Sequence, residues 1–114
     1  MKIPYSPAPP GEEALVDSGS GHNLFSLEIA ELCRVNLRNA GRAKLSTYKP
    51  DENEQQGIVA EMNYELRGCK WTAETIFVDT SKEYGLLGQL GFFNHFNVTF
   101  RYQQRFIDIE HVAN

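Results

Sequence analysis

The clearest pattern in the chain is an alternation. Ile58, Ala60, Met62, Tyr64 and Leu66 are apolar, and Glu61, Asn63 and Glu65 fall between them. A period of two over nine residues predicts a β-strand with one buried face. Arg67-Gly68-Cys69-Lys70 has turn composition, and Trp71 to Val78, rich in Thr, Ile, Phe and Val, predicts a second strand. Val98, Phe100 and Tyr102 alternate again, Gln103-Gln104 turns the chain, and Phe106 to Ile109 closes it. Lys44 to Tyr48 predicts a further strand, and the polar stretch Lys49 to Gln56 an exposed loop or hairpin tip ending at Gly57.

Helical spacing is rarer. Leu27, Ala30 and Cys33 recur at three-residue intervals behind Ser26, which can cap a helix, and Glu28 and Glu31 suit its start. The spacing predicts a short helix over Leu27 to Cys33, with Cys33 expected in the core. Phe92-Phe93-Asn94-His95-Phe96 fits one or two helical turns ended by Asn97. The aromatic stripe Phe92, Phe93, Phe96, Phe100 and Tyr102 is expected to be packed in a core or subunit contact. Four of the five prolines lie at positions 4, 7, 9 and 10, so the amino-terminal arm is expected to be extended, at an edge or outside a sheet. Many short strands with one or two short helices predict a mainly β chain and a small closed sheet. At 114 residues there is room for one core and not for two. The expected organisation is an arm over 1–12, one domain over 13–110 and a tail over 111–114.

Charge narrows the function classes. Lys+Arg 11 against Asp+Glu 15 gives a net charge of −4, which argues against a nucleic-acid surface. No apolar run approaches the ~18 residues of a membrane span. Two cysteines, Cys33 and Cys69, make no disulfide framework and lack metal-pair spacing. A reduced, cytoplasmic setting is expected, with no metal and no cofactor.

The chemistry is expected at an acid. Of the four aspartates, only Asp17 comes after an apolar run, Ala14-Leu15-Val16, and precedes small flexible residues, Ser18-Gly19-Ser20-Gly21. Taken alone, this reads as a strand ending in an Asx turn. The stretch Ala14-Leu15-Val16-Asp17-Ser18-Gly19-Ser20 also resembles the active-site strand and loop of retropepsin-like aspartic proteases, of the bacterial and archaeal type. The segment Asn23 to Leu32 is similar to the one after that loop in microbial members. About 70 residues on, Gly85-Leu86-Leu87-Gly88-Gln89-Leu90-Gly91, with Phe92 to Phe100 after it, is similar to the family's second signature: an apolar pair, a glycine, a short helix and a last strand.

The resemblance implies a fold and a mechanism. The fold is the small closed β-barrel of the acid proteases, one lobe per chain. One carboxylate cannot both activate water and donate a proton in the same step. Asp79-Thr80-Ser81 lacks the motif glycine, so the chain holds a single Asp-Ser-Gly and is too short for two lobes. The resemblance therefore implies a homodimer with Asp17 of each subunit at the two-fold axis, sharing one proton. One Asp17 would take a proton from the attacking water, and the other would donate to the peptide carbonyl. Ser18 would bond across the dimer, and Gly19 and Ser20 would complete the loop. Leu86, Leu87 and Gly88 would support it from behind. Residues 44–58, with Ser46, Thr47, Tyr48, Gly57 and Ile58, would form the flap over a peptide or protein substrate.

Three departures from the family pattern stand out. The flap segment offers Lys49-Pro50-Asp51-Glu52-Asn53 where members usually carry glycines. Members often pair an Asp two residues after the motif glycine with an Arg just after the second-signature glycine; here those positions hold Gly21 and Gln89. The region before Asp17 is short and proline-rich, where members have a longer strand pair. These departures motivate an alternative, a dimeric binding module of the same fold with weak or lost peptidase activity. A more distant alternative is a small all-β interaction domain.

Overall fold

A computed structural model describes residues 1–4, 14–45, 55–79 and 85–112. The chain is mainly β, with nine strands and one helix among these residues. In order they are β1 (Lys2–Pro4), β2 (Ala14–Val16), β3 (Asn23–Ser26), α1 (Leu27–Leu32), β4 (Gly41–Leu45), β5 (Gln55–Leu66), β6 (Cys69–Val78), β7 (Gly85–Leu87), β8 (Phe96–Arg101) and β9 (Phe106–His111).

The alternating segment becomes β5. Its antiparallel ladder with β6 runs from Ile58 opposite Phe77 to Leu66 opposite Cys69. Ala60 and Met62 are buried, while Glu61, Asn63 and Glu65 are exposed, as a half-buried strand requires. The turn is tighter than expected. Only Arg67 and Gly68 lie between the strands, and both have positive φ, 48° and 87°, the geometry a two-residue hairpin needs. The polar Gln55 and Gln56 belong to β5, not to a loop, because their backbones pair with Leu45 and Lys44.

The helix forms where expected. The Ser26 side chain accepts from the Ile29 N–H, and α1 ends at Cys33 as its C-cap. Ala30 is 1% exposed and anchors the helix. Cys33 is a correction to the expected core position: as the C-cap it lies past the buried face, and it is exposed. The aromatic segment after Gly91 winds through turns without becoming a regular helix, one of them a helical turn closed by the Phe96 N–H on the Phe92 carbonyl. Of the aromatic stripe, Phe92 and Phe96 are buried and Phe93 half-buried, whereas Phe100 and Tyr102 are exposed.

Two sheets result. One has the order β1-β9-β8, the other β2-β7-β3-β6-β5-β4. The closed sheet expected from the strand pattern is not found among the described residues. Here β8 and β9 pair with β1 in a separate sheet, which leaves β2 and β4 as the edges of the larger one. The proline-bearing arm contributes an edge strand, β1, to the smaller sheet.

Two apolar clusters fill the interior. Ala30, Ala60, Met62 and Phe77 form one; Phe92, Phe96, Ile107 and Ile109 form the other, with Val16, Leu87 and Trp71 packed against it. Tyr64, packed on the first cluster, stacks on Trp71 at 5.2 Å, and Trp71 meets Phe96 edge-on at 4.8 Å. Val16 and Leu87, the residues next to the Asp17 loop, rest on the second cluster, so the loop stands on a packed base. Among the described residues, no helix is long and apolar enough to cross a membrane.

Candidate active site

Asp17 sits where β2 stops. β2 pairs in parallel with β7, Val16 opposite Leu87, and the Asp17 N–H donates to the Leu87 carbonyl at 2.9 Å as the next rung. The chain then turns. Ser20 N–H donates to the Asp17 carbonyl at 3.1 Å, and Gly19 N–H donates to Asp17 Oδ1 at 2.9 Å. This is an Asx turn, for which the short carboxylate side chain is well suited. One carboxylate oxygen is thereby oriented by the loop's own backbone, and the residue is half-buried. A Cβ at position 19 would stand 3.2 Å from that same oxygen, so glycine keeps the turn close around it.

The returning strand is β3, but it does not pair with β2. β7 lies between them, parallel to β2 and antiparallel to β3, with Leu86 opposite both Leu15 and Leu24. A segment about 70 residues downstream thus fills the space between the strand entering the turn and the strand leaving it.

The residues after β7 grip the loop directly. Gln89 N–H donates to the Ser20 carbonyl at 2.8 Å, and Leu90 N–H to the Gly21 carbonyl at 2.9 Å. The Gln89 side-chain amide donates to the Ser18 carbonyl at 2.9 Å. Gly88 N–H donates to Asn23 Oδ1 at 2.8 Å in a buried setting. A Cβ on Gly88 would fall 2.4 Å from the His22 carbonyl oxygen and 2.6 Å from that of Ser20. Only glycine allows the two backbones this approach. Ser20 Oγ closes the loop on itself by donating to the His22 carbonyl at 2.7 Å.

The expected site residues therefore separate into three groups. Asp17, Ser18, Gly19, Ser20, Leu86, Leu87 and Gly88 come together in one loop-and-strand assembly, with Ser18 exposed at its outer side. Gly57 and Ile58 lie within β5, where Gly57 is buried and a Cβ on it would meet Ile76 at 2.4 Å. Ser46, Thr47 and Tyr48 lie outside the described residues.

Sequence reasoning missed the buried polar support. Asn23 is 0% exposed, and its side chain fits because Gly91, at φ +129°, has no Cβ to collide with it at 2.6 Å. Tyr64 Oη bonds Thr75 Oγ1, whose hydroxyl in turn reaches the Ala73 carbonyl at 3.2 Å. Burial pushes the Tyr64 phenol pKa up; its contacts with Thr75 and Asn23 oppose this. Trp71 Nε1 donates to the Gly91 carbonyl at 2.7 Å and ties the hairpin to the same segment. The signal available in sequence was a polar residue at the head of the apolar run Leu24-Phe25, too slight to separate from a solvated strand end.

Among the described residues, no group of three His, Cys, Asp or Glu could hold a metal ion. The chemistry this assembly offers is that of one oriented carboxylate, capable of accepting or donating a proton. Comparisons with protein-family models, with curated proteins and with solved structures found no match.

Proposed function

We propose that this chain is one half of an aspartic endopeptidase of the retropepsin-like type, acting as a homodimer. The observation that carries the reading is the Asp17 turn: an acid at a strand end, its carboxylate oriented by Gly19 N–H, held from behind by Leu87, Gly88 and Gln89. Both stretches that carry the family resemblance meet at this one place. The retropepsin fold belongs to the same proposal.

One oriented carboxylate needs a second to hydrolyse a peptide. In the proposed dimer two Asp17 side chains lie close at the two-fold axis and share a proton, since two neighbouring carboxylates resist joint ionisation. The ionised member draws a proton from water, which attacks the peptide carbonyl. The protonated member donates to the carbonyl oxygen, and the tetrahedral species collapses with proton transfer to the leaving amine. Surface chemistry beside the loop supports a second copy. Leu15 and Leu90 are 52% and 55% exposed. Leu15 lies on the edge strand leading into the turn, and Leu90 is bonded through its backbone to Gly21.

The test is cleavage of a peptide library at mildly acidic pH, together with sedimentation analysis. Asp17→Asn keeps an oxygen for Gly19 N–H, so fold and association should survive while turnover falls at least about a hundredfold. Equal turnover by the variant would remove the proposal. A stable dimer without turnover would favour the binding-module alternative, and turnover by a strict monomer would refute the shared-proton mechanism.

A further inference from the structure

Gln89 is exposed, comes directly after the second-signature glycine, and has no acidic partner at Gly21. Its side chain is nevertheless engaged. The Ser18 carbonyl that receives it belongs to the same peptide group as the Gly19 N–H. One end of this peptide accepts from Gln89 Nε2 at 2.9 Å, and the other donates to Asp17 Oδ1 at 2.9 Å. The backbone N–H of Gln89 holds the next carbonyl but one, that of Ser20, at 2.8 Å. Gln89 thus takes two carbonyls of the loop at once and leaves the peptide between Ser18 and Gly19 little freedom to rotate.

We infer that Gln89 is a positioning residue for Asp17, acting through the Ser18–Gly19 peptide. A peptide group whose oxygen accepts a hydrogen bond becomes a better N–H donor, because the chain of bonds polarises cooperatively. Removing the amide at position 89 therefore weakens the Gly19 bond to the carboxylate without touching the carboxylate itself. The contact is neutral. Only the amide nitrogen of Gln89 can face a carbonyl oxygen, so its orientation is fixed by chemistry. No charge is placed beside the acid, as an arginine there would place one.

The inference deepens the proposed function and relies on it only for the kinetic part of its test. Gln89→Met keeps the side-chain length and removes the donor; Gln89→Lys supplies a donor again. Amide exchange, read by NMR, should quicken about three- to tenfold at Gly19 in Gln89→Met and stay unchanged in the β5–β6 hairpin. In cleavage assays kcat of Gln89→Met should fall about tenfold with KM within about twofold, while Gln89→Lys, which restores a donor but adds a charge, should recover the Gly19 exchange. In the unmodified protein, the Gln89 side-chain amide should exchange more slowly than those of the exposed Gln103 and Gln104, a measurement that needs no variant. Unchanged Gly19 exchange in Gln89→Met, or equal exchange of the three side-chain amides, overturns the inference. Unchanged kcat in an active enzyme does so as well. A Gly19 response in a protein that cleaves nothing upholds the positioning role while the peptidase reading falls.

Discussion

Asn23 and Gly88 lie 65 residues apart and are joined by one buried hydrogen bond of 2.8 Å, the Gly88 N–H donating to Asn23 Oδ1. The bond fastens the start of β3 to the end of β7, and so secures both sides of the Asp17 turn. Its strength comes from its setting. A buried N–H that loses its acceptor regains nothing from water.

Asn23→Ala should therefore cost about 1–3 kcal/mol, since it strands the Gly88 N–H and opens a void at a fully buried position. Urea unfolding monitored by Trp71 fluorescence would measure it. Within the proposed function, the same variant should lose turnover beyond what its unfolded fraction explains, because the loop is no longer held.

Gly88→Ala tests close approach instead of bonding. The new methyl would meet two backbone carbonyls, of His22 and Ser20, neither of which can swing aside as a side chain could. Destabilisation of at least about 1–3 kcal/mol is expected, with the loop displaced. Chemical-shift changes confined to residues 17–23 and 85–91 would locate the displacement; a variant as stable as the parent would contradict the packing described.

Tyr64 gives a pH signature. Its phenol pKa lies above the ordinary value of about 10 in the folded protein, chiefly because burial disfavours the phenolate. Between the ordinary and the folded values, the unfolded chain releases this proton and the folded chain keeps it. Stability from this source is whole below about pH 10 and is lost as pH rises through the folded value. Tyr64→Phe should remove that alkaline loss and cost about 1 kcal/mol at neutral pH, where the bond to Thr75 disappears. Denaturant titrations at pH 8 and across the range above 10, on both proteins, would show the crossing slopes.

Local pattern carried the hairpin and the helix because both are decided by near neighbours. The alternation from Ile58 to Leu66 and the Ser26 cap are visible within a few residues, and β5, β6 and α1 match them closely. Ends were set by backbone pairing, which polarity does not reveal. Gln55 and Gln56 read as loop yet pair with Leu45 and Lys44. β7 has three residues, too few for any period, and its place between β2 and β3 depends on partners far away in the chain. Among the described residues the expected sheet closure was not found for a similar reason, since β9 takes β1 as its neighbour across more than a hundred residues. For the candidate site, the acid and its glycines were legible as residue types. Asn23 and the grip of Gln89 on Ser18 were not, because each is a long-range contact made by a residue that looks ordinary in line.

The position of β7 also bears on when the acid becomes organised during synthesis. Among the described residues, β2 has no neighbour except β7, so the rung at Asp17 has to wait for Leu87. As the nascent polypeptide leaves the ribosome, everything ahead of Gly85 emerges with that backbone bond still unmade. The late-arriving strand then acts as a keystone: the Asx turn at Asp17 is local, but its fastening by Leu87, Gly88 and Gln89 comes only once that strand is made.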